Sequence, residues 1–360
     1  MSRTAKATIH LGALRKNYAR ACELAGAAAV MAVVKADAYG HGLERVARAL
    51  ADAPAFGVAA LGDGQRLRAA GSKARIVVLS GPDEPGDIAE FRRLLLDAVI
   101  HHDSQIRWLE NQPGGRPLRV WLKVDTGMHR LGFAPADVGG AHARLRKLDG
   151  VDAEILLMTH FAASDEFDNP LTQAQIACFA DATVGLGSTR SLANSAALIG
   201  FPQARAQWVR VGGLLYGLSV IAGRSGASLG FEPAMTLSTK LISIKNIREG
   251  EHVGYAATWR SPEDMRLGVA AIGYGDGYPR SAPSGTPVLV NGRRAAIVGR
   301  VSMDLVTIDL RGHDDAEVGD EVVLWGRGLP VEEIAACAGT IAYDLTCGMT
   351  KRVLFTEDEV

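Results

Sequence analysis

A single lysine, Lys35, ends the apolar run Val30-Met31-Ala32-Val33-Val34, and Asp37, Tyr39 and His41 then alternate with alanines and glycines through Gly42. Such a run reads as a strand buried on both faces. Lysine rarely sits there without a partner or a task. Stripped of water, its amine gives up its proton more readily and attacks carbonyl carbons, which is Schiff-base chemistry. The competing reading is a lysine snorkelling out of a strand end.

Other polar residues follow apolar runs in the same way. Lys123, Asp125, His129 and Arg130 lie in WLKVDTGMHR, His160 in LLMTH, Asn194 and Ser195 in LANSAA, and Arg210, Gly212, Gly213 and Tyr216 in WVRVGGLLYG. These runs are candidate strands. The eight are Val30–Val34, Phe56–Leu61, Ile76–Leu79, Ala98–Ile100, Leu118–Val124, Ile155–Met158, Leu192–Ala197 and Val209–Leu215. Helix-like stretches separate them, at Leu43–Ala51, Gly64–Ala70, Asp87–Leu96, Ala136–Leu148 and Pro170–Thr183. Alternation of this kind predicts an α/β fold with a parallel sheet, here an N-terminal (β/α)8 TIM-type barrel over residues 12–230. A doubly wound open sheet is the alternative, but no glycine-rich dinucleotide fingerprint follows the first strand. In a barrel, all these polar residues converge on one mouth.

Beyond Gly230 the pattern changes. Strand-like segments follow one another without helices, at Leu241–Ile247, Leu267–Ile272, Pro287–Val290, Arg294–Val298, Leu305–Leu310 and Glu321–Trp325, and Asn291-Gly292 is a strong hairpin signal. Residues 231–360 therefore read as a mostly antiparallel C-terminal β domain with a helix at Val331–Ala338. Residues 1–11 carry a short strand, Ala7–Leu11, free to join it.

Composition sets the outer bounds. The chain has 360 residues, 48% of them hydrophobic, and a net charge of −1. No nucleic-acid footprint shows. No apolar run is long enough for a membrane span, and the four cysteines form no CxxC pair. A cytoplasmic location is the expectation. His41, His101, His102 and His129 invite a metal reading, and Lys123 with His160 is similar to hydrolases with a lysine-bridged metal pair. Such sites need further histidines and an aspartate at strand ends, so no metal is expected.

A lysine aldehyde trap facing a phosphate cradle at Ser195, Gly212 and Gly213 points to pyridoxal 5'-phosphate, PLP, provided the barrel exists. At this point the motifs converge. VVKADAYGHG resembles the PLP-attachment signature of the alanine racemases. KVDTGMHRLGF, THFA, ANSAA, VRVGGLLYG, VGYAATW, IGYGDGYPR and GRVSMDLVTIDL resemble that family's other motifs in the same order.

The resemblance implies a PLP-dependent interconversion of L- and D-alanine in a homodimer with shared active sites. The D-alanine would supply peptidoglycan, or the reverse reaction would serve catabolism. It makes Lys35 the cofactor anchor and one base, and Tyr255 from the partner subunit the base on the opposite face. It puts Tyr39, Asn194, Ser195, Gly212 and Gly213 around the phosphate, Arg210 and His160 at the ring, and Arg130 and Met303 on the substrate carboxylate. Lys123, carbamylated in many relatives, Tyr274 and Asp304 would support these groups, with Asp165 and Arg300 at the entrance. Relatives often place a phosphate-binding tyrosine where this chain has Lys351. Read without the resemblance, Tyr255 is a strand aromatic, Arg210 an ion pair closing a barrel end and Lys123 a plain lysine. A serine or broader-specificity racemase, a PLP decarboxylase of the same architecture and a barrel-only PLP carrier are the competing readings. Arg210 in place of an acidic ring partner argues against the decarboxylase, and the second domain against the carrier.

Overall fold

The computed structural model describes residues 5–187 and 189–359. Its first strand, β1 (Lys6–His10), leads directly into a helix, Leu11–Ala25, that buries Leu11, Leu14, Asn17 and Ala21. Eight parallel strands then close into a barrel. They are β2 (Ala29–Val33), β3 (Ala55–Val58), β4 (Arg75–Val78), β5 (Leu96–Ile100), β6 (Leu118–Lys123), β7 (Val151–Met158), β8 (Arg190–Ser191) and β9 (Trp208–Val211). β9 pairs with β2, from Ala29 opposite Trp208 to Ala32 opposite Val211, and this pairing shuts the ring.

Side chains alternate between the inside and the outside of a barrel strand. Met31, Ala55, Val77, Val99, Trp121, Leu156 and Met158 fill the inside, with Leu79 and Trp208 against them. The floor is a packed plug of large side chains. The Trp121 indole N–H donates to buried Asp97 (2.9 Å), which also faces Arg75 and Arg119. The next inward position after Val33 is Lys35. After Trp121 it is Lys123, after Met158 His160, and after Trp208 Arg210. The chemistry-bearing residues are therefore the top layer of the same inward stripe that builds the core.

Two expected strands change: Val209–Leu215 is cut short, since β9 ends at Val211 and Gly213–Tyr216 is a 3-10 helix, and another moves. The segment Leu192–Ala197 has the apolar pattern of a strand, but β8 is the preceding Arg190–Ser191 and Ser195–Gly200 is a helix. The Asn194 side-chain oxygen accepts the Ala197 N–H (2.9 Å) and caps that helix. Ala196, Ala197 and Leu198 favour the helix and bury within it. Asn194 and Ser195 thus sit just beyond the strand, at the mouth.

The second layer is an eight-stranded sheet. It is built from β1 and from β10 (Met235–Ile247), then, past a small hairpin of β11 (His252–Val253) and β12 (Trp259–Arg260), from β13 (Met265–Ala270), β14 (Pro287–Val290), β15 (Arg293–Val298), β16 (Val306–Asp309), β17 (Glu321–Trp325) and β18 (Leu354–Asp358). Its pairings are antiparallel except one: β1 runs antiparallel to β10 and parallel to β18. Asn291-Gly292 makes the β14–β15 turn, with both residues at positive φ. Helices Val331–Ala338 and Ala342–Cys347 lie between β17 and β18. No helix among the described residues is long and apolar enough to cross a membrane.

Asn17 ties the layers together. Its amide donates to the Leu215 carbonyl (3.0 Å) and the Glu232 carbonyl (2.7 Å), and its oxygen accepts the Glu232 N–H (2.8 Å). It is buried, so every one of these bonds replaces water that cannot reach. Asn17→Ala is expected to cost about 2 kcal/mol through the orphaned backbone groups. A thermal melt unchanged by the substitution would contradict this.

Candidate active site

The chain leaves β2 through an unusual turn. Ala36, Asp37, Ala38 and Tyr39 all have φ between 52° and 55°, the left-handed region, and none is glycine. Each such residue costs roughly 1–2 kcal/mol relative to the right-handed conformation. Strain of this kind persists only where surrounding structure enforces it. The turn puts Lys35 at the mouth and folds Tyr39 back toward β9. There Tyr39 meets Tyr216 (4.8 Å between ring centres) and Tyr343 (5.6 Å).

The mouth opens into a cleft of about 1440 Å3. Lys35, Tyr39, Lys123, Arg130, His160, Asn194, Ser195, Arg210, Gly212 and Gly213 all line it. The residues gathered from separate motifs thus share one cavity. Asp165 lines its outer part. Val33, Leu79 and Met158 form its apolar floor.

Positive charge dominates. Arg210 is 4% exposed. Its terminal nitrogens donate to the carbonyls of Ser191 (2.8 Å), Thr159 (2.6 Å) and Leu192 (3.2 Å), to the Ser191 hydroxyl (2.7 Å) and to His160 Nδ1 (3.2 Å). No carboxylate is among these partners, and Nε is left for the cleft. Burial pushes the Arg210 proton affinity down to about 10, so it stays charged at neutral pH. Because His160 Nδ1 accepts from Arg210, its proton sits on Nε2. Burial, reinforced by Arg210, holds His160 well below the usual imidazole range and keeps it neutral.

The side-chain amines of Lys35 and Lys123 make no hydrogen bond or ion pair with another described residue. Burial and then the charge of Arg130 lower the proton affinity of Lys35. Lys123 is 7% exposed, and burial with the charges of Arg210 and Arg130 brings it down to about 8. Arg130 reaches in from a loop shaped by Asp125, whose Oδ1 accepts three successive backbone N–H groups, those of Gly127, Met128 and His129.

One side of the cleft is a cradle of hydroxyls and glycines. The Gly212 N–H donates to Ser195 Oγ (2.8 Å). A Cβ on Gly212 would stand 2.5 Å from Tyr39 Oη, and one on Gly213 would collide with Tyr343 Oη. Glycine is required at both for the phenols to approach. Burial raises the proton affinity of Tyr39, and that of Tyr343 to about 12, so both hydroxyls remain donors. Tyr343 was not singled out by the sequence. Lys351, the residue expected near this cradle, is exposed and outside the cleft lining, whereas Tyr343 from the helix Ala342–Cys347 stands against Gly213.

Tyr255, Met303, Tyr274 and Asp304 do not line this chain's own cleft. They gather on one exposed edge of the second layer. Tyr255 is 65% and Met303 51% exposed, both large side chains open to solvent. The Tyr274 N–H donates to the Ser302 carbonyl (3.0 Å) and Gly254 abuts Arg300, which brings the three loops together. Asp304 pairs with Arg352.

Fold and cleft define a two-layer barrel enzyme with a desolvated lysine in a cationic mouth. Comparison with known proteins makes this specific. Residues 9–220 match the alanine racemase N-terminal domain and residues 234–356 the alanine racemase C-terminal domain. The chain is 49% identical to an alanine racemase of Shewanella putrefaciens, over 97% of both chains. It is similar to the crystal structure of the biosynthetic alanine racemase from Pseudomonas aeruginosa, at a TM-score of 0.96 and 46% identity over 99% of both chains. An Acinetobacter baumannii alanine racemase structure matches at a TM-score of 0.94 and 33% identity, over 99% of this chain and 100% of that one. The chain belongs to the alanine racemase family.

The unpaired Lys123 makes a measurable demand. Its folded-state proton affinity lies below that of a free lysine, so charging it opposes folding. That penalty is absent above the free-lysine value near 10.5 and fully present below about 8. In protein dialysed free of small molecules and CO2, Lys123→Met is expected to raise the melting temperature at pH 7. The gain should shrink as the pH rises toward about 10.5. A variant that melts lower at pH 7 would refute the unpaired charge.

Proposed function

We propose that this chain interconverts L- and D-alanine with PLP, using Lys35 and, from across a dimer interface, Tyr255 of the partner subunit as the two bases. The observation that carries the reading is the mouth itself. A desolvated, unpaired lysine amine stands among cations with which no described carboxylate pairs, beside a cradle of hydroxyls and glycine. That donor set fits a phosphorylated aldehyde with an acidic ring hydroxyl. When bound, PLP supplies an aldehyde for amines and a conjugated ring that accepts the electron pair left at Cα.

The chain's own residues would then divide the work. Tyr39, Ser195, Gly212 and Gly213, with Tyr343, would offer hydroxyl and backbone N–H donors to phosphate, and Asn194 fixes the turn that presents Ser195. Arg210 would face the ring nitrogen and keep its own proton, so that nitrogen would remain an acceptor. Arg130 offers a planar fork to the cofactor oxygen and the substrate carboxylate, and Met303 of the partner subunit adds a backbone N–H to the carboxylate. Lys35 Nζ, once free, removes or returns the Cα proton on one face. Tyr255 of the partner subunit would do so on the other, its oxygen facing the charge of Arg210 and the Nε2–H of neutral His160. Tyr274 and Asp304 brace the edge that carries these donated residues. The exposure of Tyr255 and Met303 on a single edge supports a second copy covering it. The D-alanine formed would serve cell-wall peptidoglycan, or the reverse reaction alanine catabolism, in the cytoplasm.

The test combines labelling with a chiral assay. Borohydride is expected to fix PLP on Lys35. In deuterated water Tyr255→Phe should slow racemisation of alanine by about 100-fold or more and change the deuterium uptake of the two enantiomers unequally. A colourless protein with no labelled Lys35 peptide would sink the cofactor reading. A fully active Tyr255→Phe variant would remove the second base.

Lys123 has a proton affinity suited to capturing CO2 as a carbamate, which would place a negative charge beside Arg130 and Arg210. Activity is expected to fall in CO2-free buffer and to return with bicarbonate. Rates indifferent to both would leave Lys123 a plain lysine.

A further inference from the structure

His41 lies outside the reacting groups yet is fully buried beneath them. Its Nδ1 faces two backbone carbonyls of the left-handed turn, those of Ala38 (3.1 Å) and Tyr39 (2.9 Å). Both are acceptors only, so Nδ1 carries the proton. Nε2 is then a lone pair, and it has no partner among the described residues. Burial lowers the imidazole proton affinity to about 4, which keeps the ring neutral and this tautomer constant at working pH. The ring lies 4.6 Å from that of Tyr216, which lies 4.8 Å from that of Tyr39. The Tyr216 hydroxyl donates to the Val33 carbonyl (3.0 Å), two residues before Lys35.

We infer that His41 is a positioning residue for racemisation: its imidazole holds the turn Ala36–Tyr39 left-handed, and the turn sets Lys35 against the phosphate cradle. The inference rests on the reading of Lys35 as cofactor anchor and base. The turn is disfavoured on its own, because consecutive non-glycine residues resist this conformation. Two devices hold it. Outside, Asp37 Oδ1 accepts from the Leu43 N–H (3.1 Å) and from Arg66 (2.7 Å), in an exposed and therefore screened arrangement. Inside, the His41 imidazole holds the Tyr39 carbonyl and, beside its own backbone N–H (3.0 Å), the Ala38 carbonyl. Loss of that hold lets residues 36–39 relax toward the right-handed region. That carries Tyr39 away from Gly212 and shifts the amine of Lys35.

Asparagine and glutamine separate this role from packing. Asparagine places an N–H near the position of Nδ1, whereas glutamine places it near that of Nε2. In the holoenzyme, His41→Asn should stay within about threefold of wild type in kcat, while His41→Gln should lose about 100-fold with little change in KM. Cofactor release on dilution, followed by absorbance, should accelerate in H41Q and not in H41N. Ala36 is exposed, so Ala36→Gly relieves the strain without loss of packing. Added to H41Q, it should restore about tenfold of the lost rate.

Melting temperatures are read for every variant. A packing role alone would lower them in H41N and H41Q together, leave cofactor release in the folded variants at the wild-type rate and give no recovery with A36G. That result, or an H41Q enzyme equal to wild type, overturns the inference. Failure of borohydride to label Lys35 in wild type would instead overturn the anchor reading, so the two failures are distinguishable.

Discussion

Like charges converge at the end of this barrel, and no carboxylate among the described residues pairs with them there. Lys35, Lys123, Arg130 and Arg210 share one cleft, and Coulomb repulsion in a partly dry site is strong. Such an arrangement is tolerable only if rigid acceptors hold it and an anion completes it. The acceptors are visible. Three backbone carbonyls and a serine hydroxyl grip Arg210, and neutral His160 shares its remaining edge. Repulsion also does useful work, because it adds to burial in lowering the proton affinity of both lysines and leaves each nearer to the nucleophilic amine.

The rest of the structure serves to keep that cluster in place. The packed floor of Trp121, Met158 and their neighbours denies the cations any downward relaxation. The helix capped by Asn194 fixes Ser195 against Gly212. The second layer, anchored through Asn17, supplies the helix that brings Tyr343 to the cradle. Each part is ordinary packing or capping, and together they leave the polar groups of the mouth few alternative positions.

Much of this was legible in the sequence, because barrel strands write their geometry as apolar runs with period-two alternation. Lys35, Lys123, His160 and Arg210 each stand two residues beyond a core side chain, which is why their runs pointed at a common mouth. Asn194 and Ser195 were placed at the mouth although their segment is a helix rather than a strand, since an alanine-rich apolar stretch satisfies both patterns. Tyr343 was hidden because IAYDL reads as an ordinary amphipathic turn, and only the fold brings it to Gly213. The left-handed turn was hidden for a different reason. Its residues are alanine, aspartate and tyrosine, which give no local sign of positive φ, and tertiary clamps impose it. The exposed edge bearing Tyr255 and Met303 was reached by resemblance, since nothing in local pattern separates a donated side chain from a surface aromatic.

The pairing of β1 with β18 has a consequence for the order of assembly. Thr8 and Thr356, 348 positions apart, face each other across that ladder. The first strand of the chain therefore finds its parallel neighbour only when almost everything else has been made. As the chain emerges, β1 must wait, unpaired on both sides, while the barrel strands after it already close on one another. Its other partner, β10, also arrives only after the barrel. Loop closure over such a distance is slow, and a strand left waiting is a place for mispairing. Nascent barrel and finished sheet are thus separated in time as well as in sequence, and the waiting strand is the point at which folding is most exposed to its neighbours.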